Sequence, residues 1–168
     1  MIFVGDIASP LPEMTVSLAG SLSAIDGLFN DKRIICNFEG LISGHARLDS
    51  TEPVLFNHPS ILNALDTGTK PLLCLANNHI LDMPGEFGQT IDLLNREQIP
   101  RCGAGNSLRE AEDYVLFNEG THRVAVFNAC WDFLMYNQEN PSGGVYVAEL
   151  REENLLKRVS ELKDISPE

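Results

Sequence analysis

Seven short apolar runs punctuate the chain, at residues 2–5, 33–37, 71–76, 99–103, 114–118, 123–129 and 145–150, each bounded by polar or turn-forming residues. Runs of this length read as strands. Between the early ones the apolar period changes. Leu18, Leu22, Ile25 and Phe29 recur at helical spacing, as do Phe87, Ile91 and Leu94, and later Leu155, Val159 and Leu162. The first four strands therefore alternate with helices or turns, which predicts an α/β fold around a parallel sheet. The runs at 114–118 and 123–129 are joined only by Glu119-Gly120-Thr121-His122, too short for a crossover helix, so they predict a hairpin. Residues 137–144 form the clearest loop, and 40–58 is the longest stretch with neither period. The terminal helix, 151–163, pairs leucines with an ordinary solvated charged face.

Chemistry gathers where the apolar runs end. The run 71–76 leads into Asn77-Asn78-His79-Ile80-Leu81-Asp82, the run 2–5 into Asp6, and the run 33–37 into Phe38-Glu39-Gly40. In open α/β sheets ligands bind in the crevice outside the strand ends. Hard divalent cations take carboxylate and amide oxygens, and Mn, Fe and Zn also accept imidazole. Asp6, Glu39, Asn78 and His79 are the right types for one such site. Each of these acids also has an ordinary reading as a strand-ending turn former, and Gly5 and Gly40 beside them permit a tight turn or a close backbone approach. Asp82, three residues after His79, is placed either to orient the imidazole as an outer acceptor or to cap a following helix.

These residues carry a resemblance. Gly5-Asp6, Asn37-Phe38-Glu39-Gly40, Ala76-Asn77-Asn78-His79 with Asp82, then Thr90, Leu94, Ile99, Gly103-Ala104-Gly105 and Ala111 resemble, in that order, the bacterial capsule-synthesis family of CapA type, associated with poly-γ-glutamate. That family is similar to the calcineurin-like metallophosphoesterases, which implies a layered α/β sandwich holding metal ions at its strand ends. The resemblance implies Asp6 as a terminal metal ligand, Glu39 as a bridging carboxylate, Asn78 as a ligand of a second metal and His79 as the proton donor near the leaving group. The implied cofactor is divalent metal (Mn, Fe, Zn or Mg), as one ion or two, with paired ions about 3.5–4 Å apart.

The chain also departs from the pattern. Asp6-Ile7-Ala8 lacks the histidine of the wider superfamily's Asp-x-His start, and Pro84 stands where a glycine usually precedes the helix. The family continues with a strand ending in His-Trp-Gly and then a His-Pro-His segment, and the 168 residues here contain neither. The expectation is a single metallophosphoesterase-like domain over residues 1–168, the N-terminal portion of the family fold, acting as a hydrolase if the histidine segment is supplied. The alternative is a non-catalytic component of a polymer-assembly or export complex that keeps a remnant site.

Composition narrows the partners. A 43% hydrophobic content supports an ordinary core, and a chain of this length buries roughly 70% of its unfolded surface. The net charge of −12, with 12 scattered basic residues, argues against nucleic acid. An anionic small-molecule or polymer substrate would be repelled at long range, so bound cations would have to supply the attraction. Neither a secretory signal nor an 18-residue apolar run is present, which predicts no membrane span and a cytoplasmic chain, or one trimmed of an anchor. Cys36, Cys74, Cys102 and Cys130 lie far apart in sequence without zinc spacing, and read as buried reduced thiols, with a disulfide pair as the alternative. The remaining candidates are weaker: Gly103-Ala104-Gly105 has Leu108 where a dinucleotide fingerprint needs glycine, His45 and His122 read as solvated, His58 as a surface-loop histidine, and Trp131, near Asp132 and Tyr136, as packed under a loop or as an aromatic wall for a substrate.

Overall fold

The computed structural model describes residues 1–29, 32–44, 54–131 and 144–165. His45, Asp132, Tyr136 and most of the 137–144 loop lie outside the described residues. The strands are β1 (Ile2–Ile7), β2 (Ile34–Phe38), β3 (Leu41–Ile42), β4 (Phe56–Asn57), β5 (Leu72–Cys74), β6 (Arg101–Cys102), β7 (Ala104–Gly105), β8 (Val115–Glu119), β9 (His122–Val126) and β10 (Tyr146–Val147). The helices are α1 (Pro12–Ala24), α2 (Asp26–Phe29), α3 (Ile61–Ala64), α4 (Phe87–Arg96), α5 (Leu108–Ala111) and α6 (Glu152–Ile165).

The fold is α/β, as the alternating periods predict. Strands β1, β2, β5 and β6 pair in that order in one four-stranded sheet, and every pairing is parallel. Parallel neighbours need crossovers, which α1 supplies between β1 and β2 and α4 between β5 and β6. Strands β8 and β9 form the antiparallel hairpin.

Because successive strand residues alternate faces, the sheet carries two cores. One face packs Ile34, Cys36 and Leu73 against Ile61, Leu62 and Leu65 and against Phe87, Ile91 and Leu94 of α4. The other packs Ile35, Leu72 and Cys102 against Val126, with Val115, Phe117 and Val124 of the hairpin. The hairpin does not cover the whole of its face. Phe3 is in register with Ile35 yet remains 67% exposed.

Several expectations change. The stretch 40–58 holds a two-residue parallel ladder between β3 and β4, held to α4 by Thr90, whose Oγ1 accepts from Ile42 N at 3.0 Å. That ladder escapes periodicity because two residues make no pattern. Gly40 has φ +74°, and a Cβ there would meet Leu55 O at 2.2 Å, so the close approach expected of it is real. Gly5 instead lies within β1 at a register shift between Val4 and Asp6, with nothing within 4 Å of a Cβ. Its place is a bulge, not a turn. Trp131 is 76% exposed among the described residues, and Leu155, Leu156 and Val159 of α6 stay partly exposed.

All four cysteines carry free thiols. Burial, with a smaller contribution from Cys74, pushes the Cys36 thiol up to about 12. At neutral pH it is therefore protonated, and unfolding returns it to the ordinary value near 9.0. Since the thiolate is the nucleophile, Cys36 should resist iodoacetamide at pH 8 in native protein and react once urea unfolds the chain, which peptide mass mapping reads directly.

Candidate functional site

Three strand exits meet at the C-terminal end of the parallel sheet. Asn37, on β2, donates from Nδ2 to Asp6 Oδ1 at 2.8 Å and, by a very short hydrogen bond, to Glu39 Oε1. One amide thus links the carboxylate ending β1 to the one following β2. Glu39 is 7% exposed, and its other oxygen, Oε2, is buried without a hydrogen-bond partner among the described residues. Burial raises the Glu39 carboxyl above its usual range, and the Asp6 charge raises it further. The Asn37 hydrogen bond and the nearby His79 pull the other way.

The third exit is the turn after β5. Asn77 is 3% exposed and fully engaged: Nδ2 donates to Phe38 O at 2.8 Å, while Oδ1 accepts from His79 N at 3.1 Å and Gly40 N at 3.4 Å. It ties the β5 exit to the β2 exit. Ala76 N, just before it, donates to Asn128 Oδ1 at 2.6 Å. Gly103 allows this contact, since a Cβ there would lie 2.0 Å from the same oxygen.

His79 Nδ1 and Asp82 Oδ2 are 2.8 Å apart, and Leu55 N donates to the same oxygen at 2.8 Å. Asp82 is an acceptor for the imidazole, not a helix cap: the turn Pro84–Glu86 that leads into α4 has no side-chain cap. With Nδ1–H given to the carboxylate, Nε2 is the ring nitrogen left for chemistry. Asn78 is exposed and makes no side-chain hydrogen bond to the described residues.

Residues 2–165 match the family described as bacterial capsule synthesis protein PGA_cap. The chain belongs to that family. No curated protein matches it. Capsule synthesis is therefore the type of function this PGA_cap chain serves. Among the described residues, no helix is long and apolar enough to cross a membrane, and no group of three His, Cys, Asp or Glu side chains is gathered closely enough to hold a metal ion.

Of the sequence candidates of this PGA_cap chain, Asp6, Glu39, Asn78, His79 and Asp82, four are joined in two hydrogen-bonded pieces, Asp6–Asn37–Glu39 and His79–Asp82, and the exposed Asn78 belongs to neither. The amides that position them, Asn37, Asn57 and Asn77, had no such role assigned from sequence. Asn57, fully buried, donates to Glu39 O at 2.7 Å and accepts from Ser9 N at 2.8 Å. A signal existed for two of them, since Asn37 ends the run 33–37 and Asn77 follows the run 71–76, whereas Asn57 lies in the stretch with neither period. His58 is not a free surface residue either: its Nδ1 lies 2.8 Å from Ser60 Oγ, and its backbone N donates to Ser9 O at 2.7 Å. His122 is exposed. Cys130 lies within electrostatic reach of Glu39, whose charge adds to the burial that raises its thiol.

The two adjacent asparagines should behave oppositely. Asn77→Ala strands several buried backbone groups and is expected to cost on the order of 1–3 kcal/mol, whereas Asn78→Ala at the exposed position should stay within about 0.5 kcal/mol. Urea denaturation of both variants measures the contrast. Glu39 gives a pH signature. Its raised carboxyl contributes stability that is fully present below the ordinary carboxylate range and is lost as pH rises through the elevated value. In metal-free protein Glu39→Gln should therefore raise Tm at neutral pH, with the gain disappearing at acid pH.

Proposed function

We propose that this capsule-synthesis chain performs metal-assisted chemistry at a phosphoryl or acyl-phosphate centre, acting on an anionic small molecule or a polymer such as poly-γ-glutamate. The observation that carries the reading is Glu39 Oε2, a buried carboxylate oxygen without a hydrogen-bond partner among the described residues, on a residue that shares an amide donor with Asp6. A buried charged oxygen left unpaired is costly, and a divalent cation is the ligand that would satisfy it. The donor set fits: Asp6 and Glu39 supply hard carboxylate oxygens, and the exposed Asn78 an amide oxygen, for Mn, Mg, Fe or Zn.

Asp6 and Glu39 would hold the cation, and Asn37 fixes the rotamers of both. When bound, the metal supplies Lewis-acid stabilisation of charge on the phosphoryl oxygens, and in a chain of net charge −12 it also supplies the local attraction for an anion. His79 delivers a proton from Nε2 to the leaving oxygen. Asp82, itself held by Leu55 N, keeps Nδ1 protonated and the ring in one orientation.

A second reading, a non-catalytic component of a polymer-assembly or export complex, is favoured by Asn37: its amide donates to both carboxylates and so pairs them with no cation. Titration calorimetry with Mn²⁺ and an assay with bis-p-nitrophenyl phosphate separate the two. The expected result is weak binding of one Mn²⁺, lost in Asp6→Asn and in Glu39→Gln, with turnover that is low and abolished by His79→Ala. Binding heat that survives both carboxylate substitutions would remove the metal centre. Tight binding of two ions would show that further ligands complete it.

A further inference from the structure

Cys74 and Cys102, distant in sequence, stand side by side where β5 and β6 end. They are direct partners in the parallel register, so their side chains leave the same face of the sheet. That face lies under the hairpin: Cys102 belongs to its core and Cys74 packs against it, while Cys36 belongs to the core on the helical face. Neighbouring strands lie about 4.7–4.9 Å apart, within the Cα separation of roughly 4.4–6.8 Å that a disulfide spans. We propose that Cys74 and Cys102 form an oxidative modification site, a dithiol that a small disulfide oxidant converts into a disulfide across two adjacent parallel strands.

The two thiols are unequal in a way that assigns their order. Cys74 is half-buried and Cys102 buried. A hydrogen bond from Cys102 holds the Cys74 thiol below its ordinary range, and the same bond, with burial, pushes Cys102 up. Cys74 is therefore the attacking thiol. Its thiolate attacks one sulfur of the oxidant, the oxidant's S–S bond breaks, and one thiolate leaves. Cys102 then gives up its proton to solvent and attacks the Cys74 sulfur, displacing the second thiolate. Two protein thiols lose two electrons in all, and one small disulfide is reduced to two thiols. The bond would close immediately upstream of the candidate centre: Cys74 precedes Asn77 by three residues, and Gly103, next to Cys102, abuts Ala76 N.

Incubating the full chain with glutathione disulfide under native conditions, quenching with acid, alkylating and mapping tryptic peptides tests this. Cleavage at Arg96 and Arg101 places the two cysteines on separate peptides. The expected product is a cross-linked pair lacking two hydrogen masses, with Cys36 still a thiol. Cys102→Ser should trap a glutathione adduct on Cys74, and Cys74→Ser should leave Cys102 unmodified. A bridge between Cys36 and Cys74 would overturn the assignment. So would survival of both thiols in the wild-type chain after Cys130 has reacted, a measurement that depends on no substitution.

Discussion

The buried amide of Asn77 is the constraint on which the rest of the candidate site depends. Three strands end close together, and their backbone groups must be paired out of reach of water, because a buried polar group without a partner costs on the order of 1–3 kcal/mol. Asn77 meets that demand at the junction of two exits, with Phe38 O and Gly40 N on one side and His79 N on the other. Asn57 does the same between Glu39 O and Ser9 N. These side chains take no part in the proposed chemistry, yet they fix where Glu39 and His79 stand.

Upon that frame sit two electrostatic units of different character. Asp6, Asn37 and Glu39 set two carboxylates around one donor; burial, and then the Asp6 charge, leave Glu39 raised, and one of its oxygens has no hydrogen-bond partner among the described residues. His79 and Asp82 pair a base with an acceptor that the backbone of Leu55 already holds. The first unit is where the proposed cation would be held. The second suits a proton. Their proximity follows from a parallel sheet, in which every strand delivers its C-terminal residue to the same edge.

The two faces of that sheet are unequally protected. Helix α4 and the segment 61–65 seal one face, whereas the hairpin covers the other over β5 and β6 but leaves Phe3 on β1 exposed. The paired thiols lie under the covered part. Cys36, a neighbour by strand, is separated from them by the thickness of the sheet.

Much of this was readable from residue order. Seven apolar runs, the change from strand to helix period, and the short Glu119–His122 connection determined an α/β chain with a parallel sheet and a hairpin, because burying one face imposes a period. Acids and imidazole after three such runs marked where chemistry would gather. Tertiary structure alone decided what has no period. It assigned burial to Asn77 and exposure to Asn78, although the two are chemically identical neighbours. It gave Asp82 to His79 in place of a helix cap, formed the β3–β4 ladder within a patternless stretch, and set Cys74 beside Cys102. Each of these depends on which strands become neighbours and in what register, and residue order carries that only through the packing of the whole chain.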